Sequence, residues 1–167
     1  GMRVVFYDVQ RKLPLGRAQT ASSIEEVLKM SDFVSLHMPG GPGNINLFNH
    51  QNLSLMKKRA FLLNMARGNI VDLESLAELL KSGHLGGAAI DVFPVEPTDN
   101  KAEFETVLKN LPNVILTPHI GGNTEEAQKN IGLEVANTLI SFIDRGLTAG
   151  AVNFPEKAPG GGNVIGP

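Results

Sequence analysis

Residues 60–91 read AFLLNMARGNIVDLESLAELLKSGHLGGAAID, and this stretch decides the fold. It opens on the apolar run Ala60-Phe61-Leu62-Leu63 and closes on another, Gly87-Ala88-Ala89-Ile90. Between them Asp72 stands as a helix cap before Leu73, Leu76, Ala77 and Leu80 on one face, and Gly83 stops the segment. Both runs are apolar throughout rather than alternating, the pattern of parallel strands covered on both faces. Strand, helix and strand in this order require a crossover, and a right-handed one.

Outward from this unit the same alternation continues. Val4-Val5-Phe6-Tyr7 and Phe33-Val34-Ser35-Leu36 precede it, and Val114-Ile115-Leu116 follows, so five strands are expected. Ser22 with Glu25, or Ser23 with Glu26, has capping-box spacing before Ile24, Val27 and Leu28. A short helix is expected around Leu53 to Lys58, and another where Asn100 and Glu103 precede Phe104, Val107 and Leu108. Thr124, with Glu125 and Glu126 in the first turn, opens the longest helix. Its apolar residues Ala127, Ile131, Val135, Leu139 and Phe142 recur at three to four, and Gly146 ends it. The fold class is therefore α/β, a Rossmann-like, doubly wound, open parallel sheet. The expected divisions are a nucleotide-binding part over 1–123, the long helix over 124–146, and a tail or linker over 147–167 around Pro159-Gly160-Gly161-Gly162.

Composition narrows the classes. Of the 167 residues, 42% are apolar and 19% charged, which fits one domain with a real core. A net charge of -2 without a basic stripe argues against nucleic acid as a partner. Zero Cys excludes disulfides and thiolate metal sites, and a cytoplasmic location is expected. No apolar run approaches the roughly 18 residues of a membrane span, so no membrane role is expected. Gly1-Met2-Arg3 leads straight into an apolar run, so no signal peptide is expected.

Ligands of open parallel sheets bind beyond the carboxyl ends of the strands. Asp8 follows the first run, His37 the second and Arg67 the third; Asp91 and Glu96 follow the fourth, and His119 the fifth. Parallel strands place all of these along one edge. Asp8 suits hydrogen bonds from a ribose 2′-hydroxyl, although a strand-end Asp equally makes turns, and Arg11 and Lys12 nearby soften discrimination against a 2′-phosphate. Arg67 offers a planar fork for a carboxylate, against the plainer reading of a surface ion pair. His119 is the side chain suited to proton transfer near neutral pH, and Glu96 beside it would fix its tautomer and favour the imidazolium. The plainer readings are a backbone-bonded histidine and a solvated loop acid. His37 is expected to pack near a cofactor, while His50 and His84 read as surface residues. No metal site is expected, because the four His are dispersed.

Three segments resemble the signatures of the D-isomer-specific 2-hydroxyacid dehydrogenase family: Asn64-Met65-Ala66-Arg67-Gly68, Asp91-Val92-Phe93-Pro94-Val95-Glu96-Pro97 and Thr117-Pro118-His119-Ile120-Gly121-Gly122. Lys12-Leu13-Pro14-Leu15-Gly16, Asn130-Ile131-Gly132-Leu133-Glu134 and Ala151-Val152-Asn153-Phe154-Pro155 narrow the likeness to the branch acting on a phosphorylated 2-hydroxy acid. The resemblance covers roughly residues 1–156. It implies NAD as cofactor, Arg67 as the carboxylate and carbonyl ligand, His119 as acid/base and Glu96 as its partner. It also implies Asp8 on the adenosine ribose and Asp91 near the nicotinamide carboxamide. Met65, Ala66, Ile120, Gly121 and Gly122 would line the cofactor.

The family's glycine-rich phosphate loop belongs about 20 residues before Asp8. The first strand and phosphate-binding helix of the nucleotide fold are thus expected to be lacking. The runs at Val4 and Phe61 are then expected to expose sheet edges. The 167 residues alone are expected to bind NAD poorly and to turn over no substrate, needing the rest of the chain or a homo-oligomer. The alternatives are a dehydrogenase for another D-2-hydroxy acid, a non-catalytic NAD-sensing or protein-interaction module, and an inactive remnant.

Overall fold

The computed structural model describes residues 1–97 and 103–151. They form two compact units, Gly1–Pro118 and His119–Pro167.

In the first unit, β1 (Val5–Phe6) pairs in parallel with β2 (Gln19–Thr20). After α1 (Ile24–Met30) come β3 (Phe33–Leu36), α2 (His50–Leu53), β4 (Phe61–Asn64), α3 (Leu73–Lys81), β5 (Gly87–Ile90) and β6 (Val114–Leu116). The last four strands make one parallel sheet in the order β3-β4-β5-β6. Each crossover steps one place in the same direction, as the unit at 60–91 requires.

Three expectations about this sheet are corrected. The run at Val4 does not join it: β1 pairs with β2, so four strands share the sheet rather than five. The free edge expected at Phe61 falls at Phe33–Leu36 instead, since β4 is flanked on both sides. The register also sorts the strands into two faces. Val34, Leu62, Ala88 and Ile90 point into the core with Leu28, Leu53, Leu76 and Leu80 from the helices. On the opposite face Phe33 is 59% exposed, Phe61 40% and Ile115 67%, so the runs are covered on one face rather than two. Phe33 and Phe61 meet there in register, their rings stacked at 5.0 Å between centroids and 12° between planes.

Side chains close the helix ends. At α1, Ser23 Oγ accepts the Glu26 N–H at 3.2 Å, while the Glu26 carboxylate reaches past the cap to the N–H and hydroxyl of Ser22, at 2.7 and 2.6 Å. Of the two expected spacings, Ser23 with Glu26 makes the cap, and the return bond goes to Ser22 rather than to Ser23. The Ser22 hydroxyl, then its N–H, holds the Glu26 carboxyl below the usual range. A carboxyl lowered on folding stabilises above its unfolded range and loses that contribution as pH falls through its folded value. The Ser22 amide resonance should therefore follow the Glu26 titration with a midpoint below that of an unfolded glutamate; an amide indifferent to it would remove this cap.

Asp72 caps α3 through the Glu74 N–H at 3.2 Å, and Gly83 beyond it takes φ +74°, as expected of a helix stop. The helix expected around Leu53 to Lys58 is displaced: α2 starts where Asn49 caps it, accepting from Asn52 N–H at 3.1 Å, and ends at Leu53, with 54–58 turning. The helix expected from Asn100 does not form in its described part: residues 103–106 are irregular and 107–110 turn. Asn100 itself lies outside the described residues. Leu108 is buried and Phe104 packs edge-on against Phe93 at 4.7 Å, so the apolar spacing serves packing without a helix.

The second unit contains α4 (Glu125–Arg145). Thr124 Oγ1 accepts the Ala127 N–H at 3.1 Å, and Gly146 ends the helix at φ +62°. The segment from residue 152 onward, including the expected glycine-rich tail, lies outside the described residues.

Candidate functional site

Register builds the rim. Phe33 pairs with Phe61 and Phe61 with Gly87, so Leu36, Asn64 and Ile90 stand level, and Ile90 pairs with Leu116. The chain leaves this height at His37, at Met65-Ala66-Arg67, at Asp91 and at Thr117. Four of the five expected strand ends therefore share one rim. Asp8 does not belong to this sheet, because it follows β1. Its Oδ1 accepts the Gln10 N–H at 2.8 Å, the turn-making role.

Each rim residue is held by its neighbours. Asn64, at the end of β4, is fully buried. Its Oδ1 accepts the Ala66 N–H at 3.1 Å and its Nδ2 donates to the Arg67 carbonyl at 3.0 Å. Arg67 is exposed, and its Nη1 donates to the Ala66 carbonyl at 2.6 Å. The Arg67 stem lies against Gly40 in the loop after β3: a Cβ there would stand 3.1 Å from Arg67 Cβ and Cγ. Asn69 Nδ2 donates to the Gly40 carbonyl at 2.8 Å and ties the two loops together.

Gly68 joins the next pair of loops. It is buried, and a Cβ on it would stand 2.0 Å from the carbonyl carbon of Phe93. The loop carrying Arg67 therefore touches, backbone to backbone, the loop carrying Glu96. Glu96 Oε1 accepts the Phe93 N–H at 3.0 Å and so braces its own loop. Asp91 Oδ1 accepts the Thr117 hydroxyl at 2.5 Å, joining the ends of β5 and β6. His37 Nε2 lies 2.8 Å from Ser35 Oγ.

His119, Ile120, Gly121 and Gly122 begin the second unit, and all four are exposed. His119 has φ +51°, the left-handed region that few non-glycine residues adopt. Such conformations cluster at functional sites, where the surroundings hold them. Among the described residues, no group of three or more His, Asp or Glu side chains is placed to hold a metal ion.

Residues 1–121 match the D-isomer specific 2-hydroxyacid dehydrogenase, NAD binding domain. The chain belongs to this family of NAD-dependent oxidoreductases, and the parallel sheet with its level rim is the family's nucleotide-binding scaffold. In particular, it is 53% identical over 156 residues to the D-3-phosphoglycerate dehydrogenase of Escherichia coli (strain K12), which covers 93% of this chain and 38% of that protein. Among solved structures it is similar to a D-lactate dehydrogenase from Sporolactobacillus, with a TM-score of 0.71 and 31% identity over 86% of this chain and 46% of that one. A D-isomer specific 2-hydroxyacid dehydrogenase from Lactobacillus delbrueckii, solved with NAD, gives 0.71 and 29% over the same shares. The chain thus spans less than half the length of these relatives.

The residues present fit NAD. Asp91 and Thr117 set a carboxylate and a hydroxyl together just past the strand ends, the place where nucleotides bind in open parallel sheets. Sequence reading named Asp91 and Ala66 for this role but passed over Asn64 and Thr117. The signal for both was present, a polar side chain at or just after the end of an apolar run.

Proposed function

We propose that this chain supplies the NAD-binding part and the reacting side chains of a D-3-phosphoglycerate dehydrogenase. That enzyme oxidises 3-phospho-D-glycerate to 3-phosphohydroxypyruvate at the entry to serine synthesis. The observation that carries this reading is the 53% identity over 93% of the chain to a protein of that name.

NAD, when bound, would supply the hydride acceptor for oxidation of the hydroxyl-bearing carbon. The chain's own residues do the rest. The Arg67 guanidinium pairs with the substrate carboxylate. One of its five donors is taken by the Ala66 carbonyl, and the others remain for a bidentate contact. The His119 imidazole takes the hydroxyl proton as the carbon becomes a carbonyl, and returns it in the reverse direction. Glu96 holds that imidazole in one tautomer and stabilises its charged form. Asp91 would hold the nicotinamide carboxamide and Asp8 the adenosine ribose. His37, Met65, Ala66, Ile120, Gly121 and Gly122 line the cofactor with backbone and small or neutral groups.

The substrate is a small phosphorylated 2-hydroxy acid, and the protein works in the cytoplasm as a homo-oligomer without nucleic acid or membrane. Among the described residues no helix is long and apolar enough to cross a membrane. Likeness to a D-lactate dehydrogenase favours a second reading, an unphosphorylated D-2-hydroxy acid.

Comparing kcat/KM for 3-phosphoglycerate and D-lactate in the enzyme as it occurs, with every segment its gene encodes, separates the two. A site built to pair a phosphate rejects the acid lacking it by about 10⁴-fold. Preference for D-lactate would overturn the substrate, and NAD reduction with neither acid would turn the reading to an NAD-sensing module.

A further inference from the structure

We infer that Asn64 is the positioning residue for Arg67, presenting the guanidinium to the substrate from inside the sheet; this rests on the reading of Arg67 as the carboxylate ligand. Asn64 lies at the end of β4, the last residue in register with β3 and β5. Among the described residues it is one of two buried polar residues, and none of its surface reaches solvent.

A buried side-chain amide is costly unless each of its groups is hydrogen-bonded. Asn64 meets that demand entirely from the segment it precedes. Its oxygen accepts from the Ala66 N–H and its nitrogen donates to the Arg67 carbonyl, at 3.1 and 3.0 Å. The side chain thus stands in for a peptide group, closing residues 65–67 into a turn where the strand ladder has ended. Its own backbone carbonyl accepts the Asp91 N–H at 3.0 Å, so the turn is referenced to the neighbouring strand end as well.

The consequence falls on Arg67. Its carbonyl is fixed by Asn64, and its stem is met from the other side by Gly40. Its Cα and Cβ are therefore set before any ligand arrives, although the guanidinium itself is exposed. A fork-to-carboxylate contact depends on placement within a fraction of an ångström, and misplacement by about 1 Å costs on the order of 100-fold in rate. An apolar residue of similar size, such as Leu, would deprive the half-buried Ala66 N–H and the Arg67 carbonyl of this shared partner, and the turn would open to satisfy them.

A double-mutant cycle in the full-length enzyme tests this. Asn64→Leu, and the isosteric Asn64→Asp that keeps the acceptor and, when ionised, turns its second oxygen onto the Arg67 carbonyl, are each combined with Arg67→Ala. KM and kcat for the hydroxy acid and the melting temperature are measured. Asn64→Asp should raise the hydroxy acid KM by about tenfold or more, with the protein still folded. In the Arg67→Ala background, Asn64→Asp should add less than about twofold, because the group it positions is gone. Fully additive effects would overturn the proposal, since Asn64 would then act independently of Arg67. An unchanged KM in folded Asn64→Asp would overturn it as well. If Arg67→Ala alone leaves KM unchanged, the reading of Arg67 fails instead, and the two failures are told apart.

Discussion

Replacing His119 with Asn should lower hydride transfer by about 10²- to 10⁴-fold while leaving the melting temperature nearly unchanged, the loss usual for a general acid/base. Asn is the informative substitution because of the backbone. His119 holds φ +51°, and Asn is among the few residues that tolerate this region, whereas Ala there adds a conformational cost of about 1 kcal/mol. His119→Ala therefore mixes lost chemistry with lost structure, and His119→Asn isolates the chemistry. The Asn amide can still hydrogen-bond, but it neither takes up nor releases a proton near neutral pH. Stopped-flow measurement of NADH appearance in the full-length enzyme reads the step itself. A rate within about threefold of the parent would remove His119 from the mechanism and move attention to His37 on the rim.

Gly68→Ala should be the most damaging single methyl in the first unit. The new carbon would stand 2.0 Å from the Phe93 carbonyl carbon, 2.2 Å from its oxygen and 2.5 Å from its Cα. All three are backbone atoms, so no rotamer change relieves the clash. Either the exit from β4 or the loop after β5 must move, in a region flanked by Ile70, Val92 and other buried side chains. Overpacking of this kind costs about 3 kcal/mol or more, which lowers the melting temperature by about 6–12 °C. The same movement would part the loops carrying Arg67 and Glu96, so kcat/KM should fall with stability. Gly43→Ala is the control, because a Cβ there meets nothing within 4 Å. A thermal scan in which the two variants melt together would show that the loops do not depend on this approach.

Much of the scaffold could be read from residues alone because its strands are local runs of one character. Phe33–Leu36, Gly87–Ile90 and Val114–Leu116 begin and end where their apolar runs do, and Phe61–Asn64 is offset by one residue. Caps were legible for a related reason: Asp72 and Thr124 act on amides two or three residues away. What could not be read depends on distant partners. Gln19 and Thr20 are too short and polar a run to stand out, and they become a strand by pairing with Val5 and Phe6. The Phe104 and Leu108 spacing suits a helix and a packed turn equally well. Which run lies at the sheet edge is a matter of order in space, and the edge passed from Phe61 to Phe33 once β4 was found between two neighbours. In the site, the motif around Arg67 was recognisable. The hold exerted by Asn64, and the contact of Gly68 with Phe93, are invisible until the chain is folded.

The common height at which Leu36, Asn64 and Ile90 finish has a consequence for how such proteins diversify. Insertions or exchanges beyond that height alter reach and shape with little effect on the pairing beneath, since the registered strand pairs of the sheet end there. Substrate preference can then change by exchanging short segments, while the load of folding stays with residues that never meet a ligand. A relative whose name specifies D-lactate and others whose names specify D-3-phosphoglycerate are what such a separation of tasks allows.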